Sequence, residues 1–408
     1  MRDFVYRLSL VVIFLIPSGE FIKLPILGTS SRMAGALLSI VWLASVVLSG
    51  KLRKTVLFHG AVLALVVWNG LSVWWSIDPD ISFARFGSYG RMLLWTVIVW
   101  DLYTSTERIR AGLQAFALGA YLPVLSTVRN YFTGVESSWG RYASSGNDPN
   151  TTAIIIALAM PVAWYLATSP STARWAKALR ILNYSFIPTA VLAMALTATR
   201  FAVVMSVPTL VFCLATAARA RRVSWAMRLL VIAYLALSLY HVTSVLPETS
   251  VERLGTIPEE MSKGDLNERR LFWEEGMALW FDHPVAGIGA NAFMRATPSG
   301  RAAHNSFIAV LVELGLVGLV LFGIVLSIVA MSVWRQSYAD RIFWLSISAV
   351  WLLGNTALTY AHTRGTWLLF GLVVASSALY AARPENTAGE CPGEPPAHPD
   401  GNFQPYSP

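Results

Sequence analysis

The chain has 408 residues, 55% of them hydrophobic and 13% charged, and a net charge of +8. A soluble domain is about a quarter charged, so this composition excludes an ordinary soluble enzyme. The positive balance does not point to nucleic acid, because an excess of Lys and Arg in inside loops is the norm for membrane proteins. Cys213 lies in an apolar run and Cys391 in a polar tail, which leaves no disulfide framework and no cysteine metal site to expect.

Apolar runs of about 17–25 residues, each long enough to cross a bilayer as a helix, recur along the chain. They predict an all-α polytopic membrane protein with about twelve spans. The spans centre near Val12, Ile40, Leu65, Thr96, Ala117, Ala157, Val191, Thr209, Tyr234, Leu319, Val350 and Val373. No small-residue cleavage site follows the first run, so that span is expected to be retained. Basic clusters fall at alternate connections: Lys51, Arg53 and Lys54; Arg108 and Arg110; Arg174, Lys177 and Arg180; Arg219, Arg221, Arg222 and Arg228; Arg335 and Arg341. By the positive-inside rule these loops are cytoplasmic, both termini are inside, and the long polar loop over about residues 243–302 is outside. One transmembrane domain, 1–382, is expected, followed by a disordered cytoplasmic tail, 383–408, rich in Pro, Gly and Glu.

The outside connections carry the distinctive residues. Trp74-Trp75-Ser76-Ile77-Asp78-Pro79-Asp80 suits a membrane interface followed by a turn. Asp78-x-Asp80 has the spacing of a metal-binding pair, but a proline turn with Asx caps is the favoured reading. Asn147-Asp148-Pro149-Asn150 is turn chemistry leading into a helix at Asn150-Thr151-Thr152. Arg200 and Arg364 sit in tight outer connections, and Arg85 and Arg91 flank the outer start of the fourth span. Snorkelling to lipid phosphate explains one such arginine; several on one face suit a lipid-linked phosphate or diphosphate.

Within the long loop, Asp265-Leu266-Asn267-Glu268 reads as a capping box. The amphipathic helix after it begins Arg269-Arg270-Leu271-Phe272-Trp273 and is expected along the outer membrane surface. Pro284-Val285-Ala286-Gly287-Ile288-Gly289 predicts a turn, not a nucleotide-binding loop, since no strand precedes it. Ala303-His304-Asn305-Ser306-Phe307 then runs into a long apolar helix carrying Glu313-Leu314-Gly315-Leu316-Val317-Gly318. Nearby cations would hold the His304 imidazole neutral, able to accept a proton from a hydroxyl.

The series arginine helix with Trp, Pro-x-x-Gly-x-Gly, His-Asn-Ser-Phe and Glu-x-Gly-x-x-Gly resembles the O-antigen ligase and O-antigen polymerase superfamily. Trp75-Ser76-x-Asp78-Pro79, Asp148-Pro149-Asn150 and Thr199-Arg200 extend the resemblance over most of the chain. Phe201 departs from the small residue usual after the Thr-Arg pair, and the loop arginine is doubled, Arg269 matching by spacing. The resemblance implies a GT-C-like glycosyltransferase in the bacterial inner membrane, active at its periplasmic face without cofactor or required metal. It implies a glycan donor on undecaprenyl diphosphate, joined either to lipid A core by a ligase or to another lipid-linked repeat by a polymerase. On this reading His304 is the general base. Arg200, Arg269 or its neighbour Arg270, and Arg364 hold the diphosphate, with Asn305, Glu313 and Trp273 in support, and displacement inverts the anomeric carbon. The chain's rarity of outer carboxylate pairs argues against double displacement. A transporter for lipid-linked glycan would need charged residues through mid-membrane and inverted repeats; a scaffold would lack activity of its own.

Overall fold

The computed structural model describes residues 1–18, 23–24, 28–137, 140–170, 174–217 and 269–382. The expected ninth span near Tyr234, the capping box at 265–268, the start of the long loop and the tail at 383–408 lie outside the described residues.

The protein is all-α and polytopic. Helices occupy the other eleven expected positions: α1 (Arg2–Leu15), α2 (Ser30–Ser49), α3 (Leu57–Leu71), α4 (Pro79–Leu102), α5 (Thr106–Phe132), α6 (Pro149–Thr168), α7 (Ala176–Leu196) and α8 (Arg200–Ala217). After the loop helices α9 (Arg269–Asp282) and α10 (Phe293–Ala296) come α11 (Ser306–Trp334), α12 (Tyr338–Ala357) and α13 (Arg364–Ala381). Seven segments are long and apolar enough to cross a membrane: α2, α3 with the short turn after it, α5, α6, α7, α11 and α13. α1, at 14 residues, is shorter, and α4 carries Arg85, Arg91 and Asp101 along its length. A two-residue antiparallel ribbon, Lys23–Leu24 with Gly28–Thr29, connects α1 to α2.

α6 is the central column. Ile154, Ile156, Ala157, Leu158, Val162 and Ala163 are all buried, against α5, α7, α8 and α12. α13 is similarly enclosed through Trp367, Leu368, Leu369 and Leu372. By contrast, Ile40, Leu43 and Val47 of α2 and Val207, Leu210 and Leu214 of α8 are exposed apolar side chains. Such a pattern suits lipid, where backbone polar groups must be satisfied inside each helix and side chains need not be polar. The prolines within α5, α6, α7 and α8 (Pro123, Pro161, Pro188 and Pro208) fit the same setting.

The two ends of the bundle differ. At one, Asp101 is fully enclosed and accepts from Arg2 (Nη1 2.5 Å, Nη2 3.0 Å), from Trp42 Nε1 (2.8 Å) and from the Arg53 backbone N–H (3.0 Å). This ties α1, α2 and α4 together. The other end carries His304.

α11 is not the continuous helix its sequence predicts. It breaks at Gly315, with φ 66° and ψ −168°. The turn at 284–289 inserts there. Leu316 N–H donates to Pro284 O (2.9 Å) and Val317 N–H to Val285 O (3.3 Å). In return Val312 O and Glu313 O accept from Ile288 and Gly289 N–H (3.1 and 2.9 Å). Trp68 Nε1 takes the Leu314 carbonyl at 2.9 Å. A Cβ on Gly315 would stand 2.2 Å from Val285 O, and one on Gly287 2.5 Å from Glu313 backbone. The two glycine motifs therefore exist to let two backbones touch.

Candidate active site

The segment before α11 builds the site from its backbone. Ala303 is buried, and its carbonyl accepts from Trp273 Nε1 at 2.8 Å, fixing the segment to α9. His304 follows in the left-handed region, φ 46°. That turn frees Asn305 to cap α11, its Oδ1 accepting from Phe307 and Ile308 N–H (2.9 and 3.2 Å). Ser306 Oγ donates to Asn355 Oδ1 (2.6 Å) and accepts the N–H groups of Tyr360 and Ala361 (3.0 and 3.2 Å). One hydroxyl thus joins the His304 segment to the α12–α13 connection.

His304 is half-buried. Burial lowers its pKa below the ordinary 6.5, Arg269 and Arg301 lower it further, and Asp148 opposes them. Its imidazole is therefore neutral near pH 7 and able to accept a proton. Of the doubled arginines, Arg269 is the one turned towards it. Burial pulls the Arg269 pKa down, yet a guanidinium stays charged. Arg270 is exposed and pairs with Glu274 at 2.8 Å. The helix that carries them is not simply laid on a lipid surface as expected. α9 packs on the first half of α11, with Gly276 against the Phe293 ring and Phe272 buried. Ile288, Ala292, Phe293, Ala303 and Val312 form a small apolar core under the loop.

Arg200 is reached through a buried arginine that sequence reasoning passed over. Arg141 Nε donates to Thr197 O (2.9 Å), and its Nη2 to Thr199 Oγ1 (2.8 Å) and Asn150 Oδ1 (3.1 Å). Asp148, the acid facing His304, caps α6 through Asn150 and Thr151 N–H (2.9 and 3.1 Å). The Asp-Pro-Asn stretch and the Thr-Arg pair are therefore one hydrogen-bonded unit, and Arg200 opens α8 directly from it. Nothing in a single sequence marks Arg141 as different from a loop arginine.

Arg364 is the first residue of α13 and donates to Ser31 on α2. Its place at the start of α13 puts it beside the 358–363 connection that Ser306 holds. A polar cluster lies inside the bundle below the 358–363 connection, around a small cavity lined by Arg85, Ser306, Glu313 and His362. Arg85 donates to Asn291 and faces Glu313 and His362. Burial and then Arg85 pull the His362 pKa down to about 3, so it is neutral. Asp78 has a structural use: it caps α4, accepting from Ile81 N–H at 3.2 Å, with Arg295 at 3.8 Å. Among the described residues no group of three His, Cys, Asp or Glu side chains could hold a metal ion.

Residues 185–323 match the O-antigen ligase family. That match supports a relation to the O-antigen ligase/polymerase superfamily over those residues. The match runs from α7 to beyond the break in α11 and so includes Arg200, Arg269, Trp273, His304, Asn305, Glu313 and Gly315; Arg364 lies beyond it. This family carries out O-antigen ligase/polymerase-type glycosyl transfer on lipid-linked glycan and belongs to multi-pass membrane proteins of lipopolysaccharide biosynthesis. No curated protein matches the chain significantly.

Proposed function

We propose that the protein moves a glycan from undecaprenyl diphosphate to a sugar hydroxyl at the periplasmic face of the inner membrane, with ligation to lipid A core as the first reading. The observation that carries it is His304: a neutral imidazole on a fixed left-handed turn, beside the Arg269 cation. In the reaction, the acceptor hydroxyl gives its proton to His304 while its oxygen attacks the anomeric carbon. The bond from that carbon to the diphosphate oxygen breaks, the electron pair stays on the diphosphate, and the configuration inverts. Arg269 and Arg200, with Arg364 at the edge, balance the growing negative charge.

The test is glycan transfer in membranes containing the His304→Ala protein at wild-type abundance; undiminished transfer refutes the assignment. The acceptor is read from a deletion strain. Long chains that stay on the carrier lipid and are missing from the core identify a ligase, whereas single repeats on the core identify a polymerase. Transfer by the purified protein, given only donor and acceptor, separates an enzyme from a scaffold or transporter.

A further inference from the structure

At the Arg2–Asp101 end, away from His304, a groove of about 630 Å³ opens between α1, α5, α6 and α7. That volume lies within the roughly 300–1,000 Å³ of ligand pockets. Its walls are apolar: Leu10, Ala115, Leu118, Leu166 and Leu179. Its floor is a reciprocal amide pair, Gln114 with Asn183, at 3.0 and 2.8 Å. Its mouth holds two cations, Arg110 and Arg180, against one carboxylate, Glu107. Arg180 makes no hydrogen bond or ion pair among the described residues. Arg110 donates through Nη1 to Pro170 O (2.7 Å) and also lies over the Tyr165 ring. The first turn of α7 also ends here, adding its positive dipole end.

We propose that this groove binds an anionic glycerophospholipid of the surrounding bilayer. Its phosphate sits between Arg110 and Arg180, and one acyl chain lies along the leucine and alanine walls. The charge at the mouth selects an anion, and Arg180, which has no protein partner among the described residues, is the guanidinium that a phosphate oxygen would engage. The apolar walls below the cations favour a lipid over free phosphate, and the helix ends place the mouth at headgroup depth of the leaflet beside the basic loops. The site is separate from the transfer reaction.

Native mass spectrometry of the full chain in detergent tests this, with phosphatidylglycerol and phosphatidylcholine of identical acyl chains as probes. Phosphatidylglycerol adducts should exceed phosphatidylcholine adducts in the wild type. Arg180→Gln should cut phosphatidylglycerol binding about fivefold, the effect of one arginine near an anionic headgroup, while Arg180→Lys retains most of it. A melting temperature for Arg180→Gln equal to the lipid-free wild type shows the variant is folded; if it melts lower, Glu107→Lys serves instead and should raise phosphatidylglycerol binding. Equal retention of the two lipids by the wild type, unchanged binding in the folded variant, or displacement of the lipid by inorganic phosphate would overturn the proposal.

Discussion

His304 holds a backbone conformation that residues with a Cβ seldom adopt. Such strain persists where the surroundings over-determine it, and here they do: the Ala303 carbonyl is held by Trp273 on one side, and the Asn305 cap closes the other. Replacing His304 by Gln keeps the bulk and removes the base, so transfer should fall by about 10²–10⁴-fold, measured as initial rate in proteoliposomes. The pH profile has a definite sign. Because the His304 pKa is below 6.5, the acid limb of the rate should lie below pH 6.5, with a plateau above it. Arg269→Gln removes a cation that favours the neutral imidazole, so the limb should move to higher pH as the maximal rate drops; an unmoved limb would separate the two residues. Arg270→Gln, which loses only an exposed pair with Glu274, should leave both rate and profile near wild type. His304 and Arg269 were legible because they fall at motif spacings. Arg141 was not, because its importance lies in a partner 58 residues away.

At the scale of elements, the break in α11 matters most. The residues 284–289 and 313–318 read in sequence as a turn and as part of a long helix, and the structure makes them a single docked unit. A Gly315→Ala chain must hold alanine in a region that costs about 1–3 kcal/mol and in addition move Val285 O from 2.2 Å. A sharp loss of thermal stability in detergent, with loss of transfer, is expected. Gly323, on the same helix with open space around it, is the control: Ala there should be neutral or stabilising by about 0.5–1 kcal/mol. Ser306→Ala leaves the Tyr360 and Ala361 N–H groups without their acceptor. It should cost about 1–3 kcal/mol and loosen the connection that bears His362 and Arg364, read as faster proteolysis between α12 and α13.

For the whole molecule, two consequences can be measured. Asp101 joins three helices from inside a closed site, and Asp101→Ala leaves the Arg2 and Trp42 donors unmatched. Leaving buried donors such as Trp42 Nε1 unsatisfied costs about 1–3 kcal/mol each, so a drop in melting temperature is expected while donor binding at the other end is kept. Sidedness is tested by cysteine labelling. With Cys213 and Cys391 replaced by Ser, Arg301→Cys should react with an impermeant thiol reagent from the periplasm, and Lys51→Cys only after the membrane is opened. The reverse pattern would place His304 in the cytoplasm.

What the sequence determined alone was the class of the molecule and its layout. Hydrophobic run length and the spacing of basic clusters act locally, residue by residue against the bilayer, so α2, α3, α5, α6, α7, α11 and α13 stand where their composition puts them. The motif series also marked His304, Arg269 and the two glycine pairs as a set. Only the tertiary structure decided how that set is used. It turned Arg269 inward and Arg270 outward, broke α11 at Gly315 to receive the 284–289 turn, and linked Asn150 to Thr199 through a buried Arg141. Each of these depends on a backbone group or a guanidinium finding a partner far along the chain, and that requirement is met in space, where no periodicity records it.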